Sequence, residues 1–300
     1  MMIAIPNVLV HKDVARNIEL YLKREDLIDP FVSGNKFRKL KYNLLQATKE
    51  KHTTLLSFGG AYSNHIAAVA AAGKRSGFQT IGVIRGEELD GDNPTLQFAK
   101  KNGMQLHFVS REAYSLKTEI DFLEQLKKRF GLFYLIPEGG TNELAVKGCE
   151  EILTNEDTIF DYICCAVGTG GTISGISNSA MPHQKVLGFP ALKGDFLQNE
   201  IRKFASNDNW ELVTDYHFGG YAKISEPLVH FMNGFRQQTN IVLDPVYTAK
   251  MVFGVMDKIE KGFFKPDSKI LMIHTGGIQG ISGMNQLLEK KKLPKINTDD

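Results

Sequence analysis

Along most of this chain, short apolar runs that end in glycine turns alternate with stretches of helical period. Thr53–Phe58 is apolar and runs into Gly59-Gly60, and the alanine-rich stretch Asn64–Ser76, closed by Gly77, predicts a helix. The pair recurs as Thr80–Arg85 with Pro94–Asn102, and as Gln105–Val109 with Leu116–Arg129, before a further strand at Leu132–Ile136. Strands separated by helices predict a parallel sheet covered on both faces. In the second half, Asp161–Val167 runs through glycines into a helix. Lys185–Phe189, Glu211–Asp215 and Lys269–His274 predict strands there, and Thr248–Lys258 and Ser282–Lys290 predict helices. The expected fold class is α/β, with two parallel-sheet α/β domains. The smaller, 48–149, is inserted into a larger one formed by 1–47 and 150–300. Thr298-Asp299-Asp300 reads as a frayed end.

A length of 300 residues accommodates two such domains. With 42% hydrophobic and 23% charged residues the composition is that of a soluble globular protein. A net charge of +2, with the basic residues spread out, gives no nucleic-acid footprint, and the run Lys290–Lys292 reads as a solvated helix end. No stretch approaches the ~18 apolar residues of a membrane span. Met1–Val10 contains Pro6 and lacks a basic start, so it does not read as a signal peptide. The three cysteines, Cys149, Cys164 and Cys165, show no metal-ligand spacing, and free buried thiols fit a reducing cytoplasm.

Five segments could carry chemistry. Gly168-Thr169-Gly170-Gly171-Thr172 follows a strand and opens a helix, where backbone N–H groups and the helix dipole favour an anion such as a phosphate. A tight strand–helix turn would also use glycines. A dinucleotide fingerprint fits less well, because Ile173 stands where a third glycine would be. Gly59-Gly60-Ala61-Tyr62-Ser63-Asn64-His65 also joins a strand to a helix start, and suits a carboxylate as well as a helix cap. Both turns fall at carboxyl ends of strands, where parallel sheets bind ligands. In Ser33–Tyr42, Phe37, Leu40 and Leu44 share a helical face, but spacing does not select Lys36 over Lys41. Asp244–Thr248 and His274–Gly277 sit at a helix start and a strand end, where turn chemistry alone could explain them.

Taken in order, the five segments resemble one family over nearly the whole chain: the 1-aminocyclopropane-1-carboxylate (ACC) deaminase and D-cysteine desulfhydrase family. These are pyridoxal-phosphate (PLP) enzymes with the tryptophan synthase β-subunit fold. The resemblance rests on Leu22–Leu27 with Ser33–Leu40, on Ser63-Asn64-His65, on Gly168–Thr172, on Asp244–Thr248 and on His274–Gly277. It implies that Lys36 holds PLP covalently and later moves the substrate proton. It implies that Gly168, Thr169, Gly170, Gly171 and Thr172 hold the phosphate, that Asn64 bonds the ring hydroxyl, and that Thr275 faces the pyridine nitrogen. Ser63 would bind the substrate carboxylate with His65 nearby, and Tyr247 would stack near the cofactor ring. Tyr221, in Phe218-Gly219-Gly220-Tyr221, resembles a second active-site tyrosine in surroundings that depart from the family pattern. A homodimer and a small amino-acid substrate are implied as well.

One departure bears on the reaction. ACC deaminases carry a glutamate directly after the tyrosine of the Asp-Pro-Val-Tyr motif, where this chain has Thr248. A glutamate keeps the pyridine nitrogen protonated and the ring a strong electron sink; a hydroxyl cannot do so by charge. The expected reaction is therefore α,β-elimination, with D-cysteine giving pyruvate, sulfide and ammonia. ACC deamination is the alternative within the enzyme class. Outside that class stands a PLP-binding protein without catalysis, and a nicotinamide-dependent dehydrogenase is a third reading.

Overall fold

The structure is a computed structural model that describes residues 5–87 and 93–298. The expected frayed end, at 299–300, lies outside them, as does the beginning of the Met1–Val10 stretch. Among the described residues ten strands form: β1 (Asn7–Asp13), β2 (Ile18–Lys23), β3 (Thr54–Gly60), β4 (Gln79–Arg85), β5 (Met104–Val109), β6 (Tyr134–Ile136), β7 (Tyr162–Val167), β8 (Lys185–Pro190), β9 (Trp210–Leu212) and β10 (Lys269–Ile273). They build two α/β domains. One holds a six-stranded sheet in the order β1-β2-β10-β7-β8-β9, the other a four-stranded sheet in the order β5-β4-β3-β6. Both are parallel except for β1, which runs antiparallel to β2.

Alternating side chains fill both faces of each sheet. In β7, Cys164 and Ala166 face a core containing Leu20, Leu22 and Met272, while Ile163, Cys165 and Val167 face another containing Leu271 and Ile273. The adjacent cysteines thus point to opposite sides of one sheet, and all three thiols are free and buried. In β3, Leu55 packs under the helix Asn64–Arg75, and Leu56 and Phe58 pack on the other face.

The hairpin β1–β2 lies where the periodicity predicted no element. Ile18, Leu20 and Leu22 are fully buried, but β2 acquires its parallel neighbour only from β10, far along the chain. The helix Glu226–Thr239 is likewise additional. The helix expected at Leu116–Arg129 starts at Ile120 and runs to Phe130, and a separate short helix, Arg111–Ser115, capped by Ser110, precedes it. The strand expected at Glu211–Asp215 is Trp210–Leu212 followed by a 3-10 turn, Thr214–Tyr216.

The helix Asn35–Lys49 links the domains. Leu40 and Ala47 are buried in the core of the four-stranded sheet, with Phe37 and Leu44 packed against it. Its first residue is tied instead to the large sheet, since the Asn35 amide donates to the carbonyl of Thr275, just beyond β10, at 3.4 Å. Gly34 has φ 61°, and a Cβ there would sit 2.0 Å from that carbonyl oxygen, so only glycine allows the approach.

Candidate active site

The carboxyl ends of β3, β7 and β10 converge on one cleft. Lys36, Ser63, Asn64, His65, Gly168, Thr169, Gly170, Thr172, Tyr221, Tyr247 and Thr275 all line it. Gly171 lies just behind, where a Cβ would come within 3.3 Å of the Lys39 ammonium.

The Gly168–Thr172 turn ends β7 and starts the helix Gly171–Ser179. Gly170 is left-handed at φ 87°, and no side chain caps the helix, so its first amides remain available to a ligand. A hydroxyl and amide frame surrounds it. Asn35 donates to Thr172 Oγ1 at 2.8 Å, and Thr169 and Thr141 hydroxyls meet at 2.5 Å. The buried Lys39 donates to the Gly139 carbonyl and to Thr141 Oγ1, each at 3.0 Å. Its amine therefore stands beside the turn, and burial draws its pKa below the usual lysine value.

Lys36 occupies the first turn of its helix and donates to Asn35 Oδ1 at 3.2 Å. Burial, reinforced by the Lys39 charge, pulls its pKa down to about 7. As a free amine it is thus substantially unprotonated near neutral pH and able to attack a carbonyl.

Ser63 caps the helix Asn64–Arg75 by accepting from the Ile66 amide at 3.3 Å. Asn64 Oδ1 accepts from Gln279 at 3.2 Å. The His65 ring is turned away to a structural task. Ser57 Oγ donates to the Ile136 carbonyl and so accepts from His65 Nε2, both at 2.8 Å. Burial and the charges of Lys36 and Lys39 keep this imidazole neutral; the nearby Pro137 carbonyl opposes them without prevailing. Its Nδ1 is buried without a partner.

Asp244 folds its motif locally, accepting the Val246 and Tyr247 amides at 2.9 Å each. Burial raises its pKa to about 7 against those bonds. Tyr247 packs against Gly168 and meets Tyr221 edge-on, the ring centroids 6.2 Å apart. Thr275 lines the cleft with Thr248 directly behind it, their hydroxyls 3.5 Å apart. His274 donates from Nε2 to the Val242 carbonyl and accepts the Gly276 amide on Nδ1, fixing the turn that carries Thr275.

Residue patterns alone missed Lys39, Glu138 and Gln279, which also line the cleft. Lys39 follows Lys36 by three positions, a spacing that puts both on one helical face. Glu138, which accepts from the Tyr114 hydroxyl at 2.8 Å, follows a predicted strand and precedes two glycines, as the other site turns do.

An uncapped helix start, flanking hydroxyls, the buried Lys39 beside it and the desolvated amine of Lys36 are the donor set of a PLP site, and the residues fit that cofactor. The fold and cleft define a PLP enzyme of the tryptophan synthase β-subunit type. Residues 8–276 match the family described as pyridoxal-phosphate dependent enzyme. The chain belongs to that family, and within it to the branch of ACC deaminase and D-cysteine desulfhydrase. A Thermotoga maritima protein that carries the ACC deaminase name provisionally is 34% identical over 90% of this chain and 92% of its own. The mitochondrial bifunctional D-cysteine desulfhydrase/ACC deaminase of Arabidopsis thaliana is 31% identical over 88% of this chain and 73% of its own. A crystal structure of an ACC deaminase homologue superposes with a TM-score of 0.82 at 30% identity, covering 95% of this chain and 93% of that one. Among the described residues no helix is long and apolar enough to cross a membrane.

Proposed function

We propose that this enzyme catalyses α,β-elimination from a small amino acid, with D-cysteine and water giving pyruvate, sulfide and ammonia. The observation that carries this reading is the pair of neutral hydroxyls, Thr275 in the cleft and Thr248 behind it, 3.5 Å apart. Thr248 stands where ACC deaminases place a glutamate. PLP supplies the electron sink that makes the substrate's α-proton acidic. A sink faced by hydroxyls is weaker, yet suffices when a good leaving group departs from the β-carbon.

The chain's own residues supply the rest. Lys36, its amine desolvated, holds the cofactor and then takes the α-proton. The Gly168–Thr172 turn with Lys39 binds the phosphate, Asn64 orients the ring, and Ser63 turns from its cap to meet the substrate carboxylate. Tyr221 and Tyr247 wall the cleft and exclude water around the leaving group. Anchoring phosphate and carboxylate on either side of the amine orients the bond to be broken.

The experiment is incubation of the PLP-loaded protein with D-cysteine, L-cysteine and ACC separately, measuring 2-oxo acid and sulfide. Pyruvate and sulfide from D-cysteine alone support elimination; 2-oxobutyrate from ACC with no sulfide from either cysteine overturns it. ACC deamination is the second reading, favoured by the Arabidopsis relative, which is named for both activities. The same proposal places the enzyme in the cytoplasm as a homodimer, consistent with three free thiols and testable by fractionation and sedimentation. It divides the chain into 48–149 and the flanking 1–47 with 150–300, in keeping with β3 to β6 all falling inside the insert.

A further inference from the structure

Outside the cleft, Lys250 is a lysine that burial leaves only 1% exposed. It lies three residues after Tyr247, in the helix Thr248–Glu260. Its ammonium donates to two backbone carbonyls, those of His217 at 3.0 Å and Gly220 at 2.8 Å. Asp244 attracts it from farther off, and among the described residues no carboxylate is in ion-pair contact with it. Burial draws its pKa down to about 8, so near neutral pH it retains most of its charge.

The two carbonyls belong to a loop under backbone strain. Phe218 at φ 52° and Ala222 at φ 53° are left-handed although both carry a Cβ. Each carbonyl that meets Lys250 also closes a turn within the loop: His217 accepts from the Gly220 amide at 3.0 Å, and Gly220 from the Lys223 amide at 3.2 Å. Phe218 packs edge-on against Phe253 of the Lys250 helix, the ring centroids 5.1 Å apart. Tyr221 follows Gly220 directly and meets Tyr247 across 6.2 Å.

We propose that Lys250 is a positioning residue: its ammonium pins the Tyr221 loop to the helix that begins at Tyr247, and so holds the two tyrosines together over the cleft. The importance of the tyrosines rests on the function proposed above, whereas the pin itself does not. A charge held by two carbonyls of a strained turn, three residues from one tyrosine and one residue from the other, couples them through the backbone. A lysine that merely fills space would leave the loop conformation to the loop.

The test is hydrogen exchange of the 217–223 segment in the PLP-loaded Lys250→Met enzyme, read by mass spectrometry, with a double-mutant cycle against Tyr221→Phe. Losing two charge-assisted bonds should speed exchange in 217–223 about tenfold or more. Exchange in the remainder of the helix 251–260 and the PLP content should stay as in the wild type. On the amino acid the enzyme turns over, Lys250→Met should lower kcat in the wild-type background and add little to Tyr221→Phe. Unchanged exchange in 217–223, or an equal loss of kcat in both backgrounds, overturns the proposal. If the Met variant does not fold, Lys250→Gln, which keeps N–H donors on a shorter neutral arm, carries the same two readouts. Faster exchange alongside a fully active Tyr221→Phe enzyme would keep the pin and remove Tyr221 from the reaction.

Discussion

Two glycine turns of this enzyme share a local design and differ in how they end. Each leads from the carboxyl end of a parallel strand into a helix, one after β7 and one after β3. At Gly168–Thr172 no side chain caps the helix, and its amides stay open beside Lys39. At Gly59–Asn64, Ser63 spends its hydroxyl on the Ile66 amide. That bond, at 3.3 Å, is long for its kind and cheap to release. The open turn suits an anion that stays, and the capped turn suits one that comes and goes. An empty carboxylate subsite would otherwise leave the helix start without a partner between turnovers.

The Lys36 amine lines the same cleft as both turns. Lys36→Ala should lower turnover by about 10³-fold or more and abolish the covalent bond to PLP. Borohydride reduction and peptide mapping would check this, and a reducible lysine adduct in the variant would place the cofactor on another residue. The asymmetry is sharpened next by Gly170→Val. The position is left-handed, and a Cβ would come within 3.0 Å of Ile201, so the open amides must turn away. PLP should bind roughly tenfold more weakly or worse, as read by absorbance titration.

Ser63→Ala should leave PLP affinity near that of the wild type and raise KM about tenfold, a loss on the scale of one hydrogen bond to a charged group. It should also cost about 1 kcal/mol of stability through the missing cap, measurable by denaturant unfolding. Equal losses of PLP affinity in the Gly170 and Ser63 variants would erase the distinction between the turns. The mildest effect concerns the cofactor-free protein. The Lys36 pKa is about 7 when folded against 10.5 for an ordinary lysine, so above pH 7 the unfolded chain binds more protons and stability rises with pH. Below about pH 7 the cost of burying Lys36 applies in full. Above pH 9 the buried Cys149, its thiol pushed up to about 11, works in the opposite direction. Unfolding of Lys36→Met and wild type between pH 7 and 9 should show the shallower slope in the variant.

The strand–helix alternation and the glycine turns were legible because each is encoded locally. A Gly-rich segment after an apolar run bends the same way wherever it folds, and in a parallel sheet its place is the ligand edge. The resemblance of five ordered motifs then supplied the family and its cofactor. What stayed hidden depends on partners far along the chain. Strand β2 needed β10, and the short helix Arg111–Ser115 formed ahead of the predicted Leu116–Arg129 stretch, which itself became helical only from Ile120.

By itself, then, the sequence determined the α/β alternation and the two glycine turns, since turn geometry and periodicity are properties of neighbours in the chain. Tertiary structure alone decided how Lys36 differs from Lys41. Lys41, equally close to the apolar face by spacing, lies exposed and pairs with Glu151 at 2.7 Å. Lys36 is enclosed between the two sheets with Lys39 beside it, and only that enclosure lowers its pKa. The same holds for Lys250, an ordinary helix residue until the His217 and Gly220 carbonyls fold over it. Desolvation is set by everything packed around a group, and no window of neighbouring residues contains it.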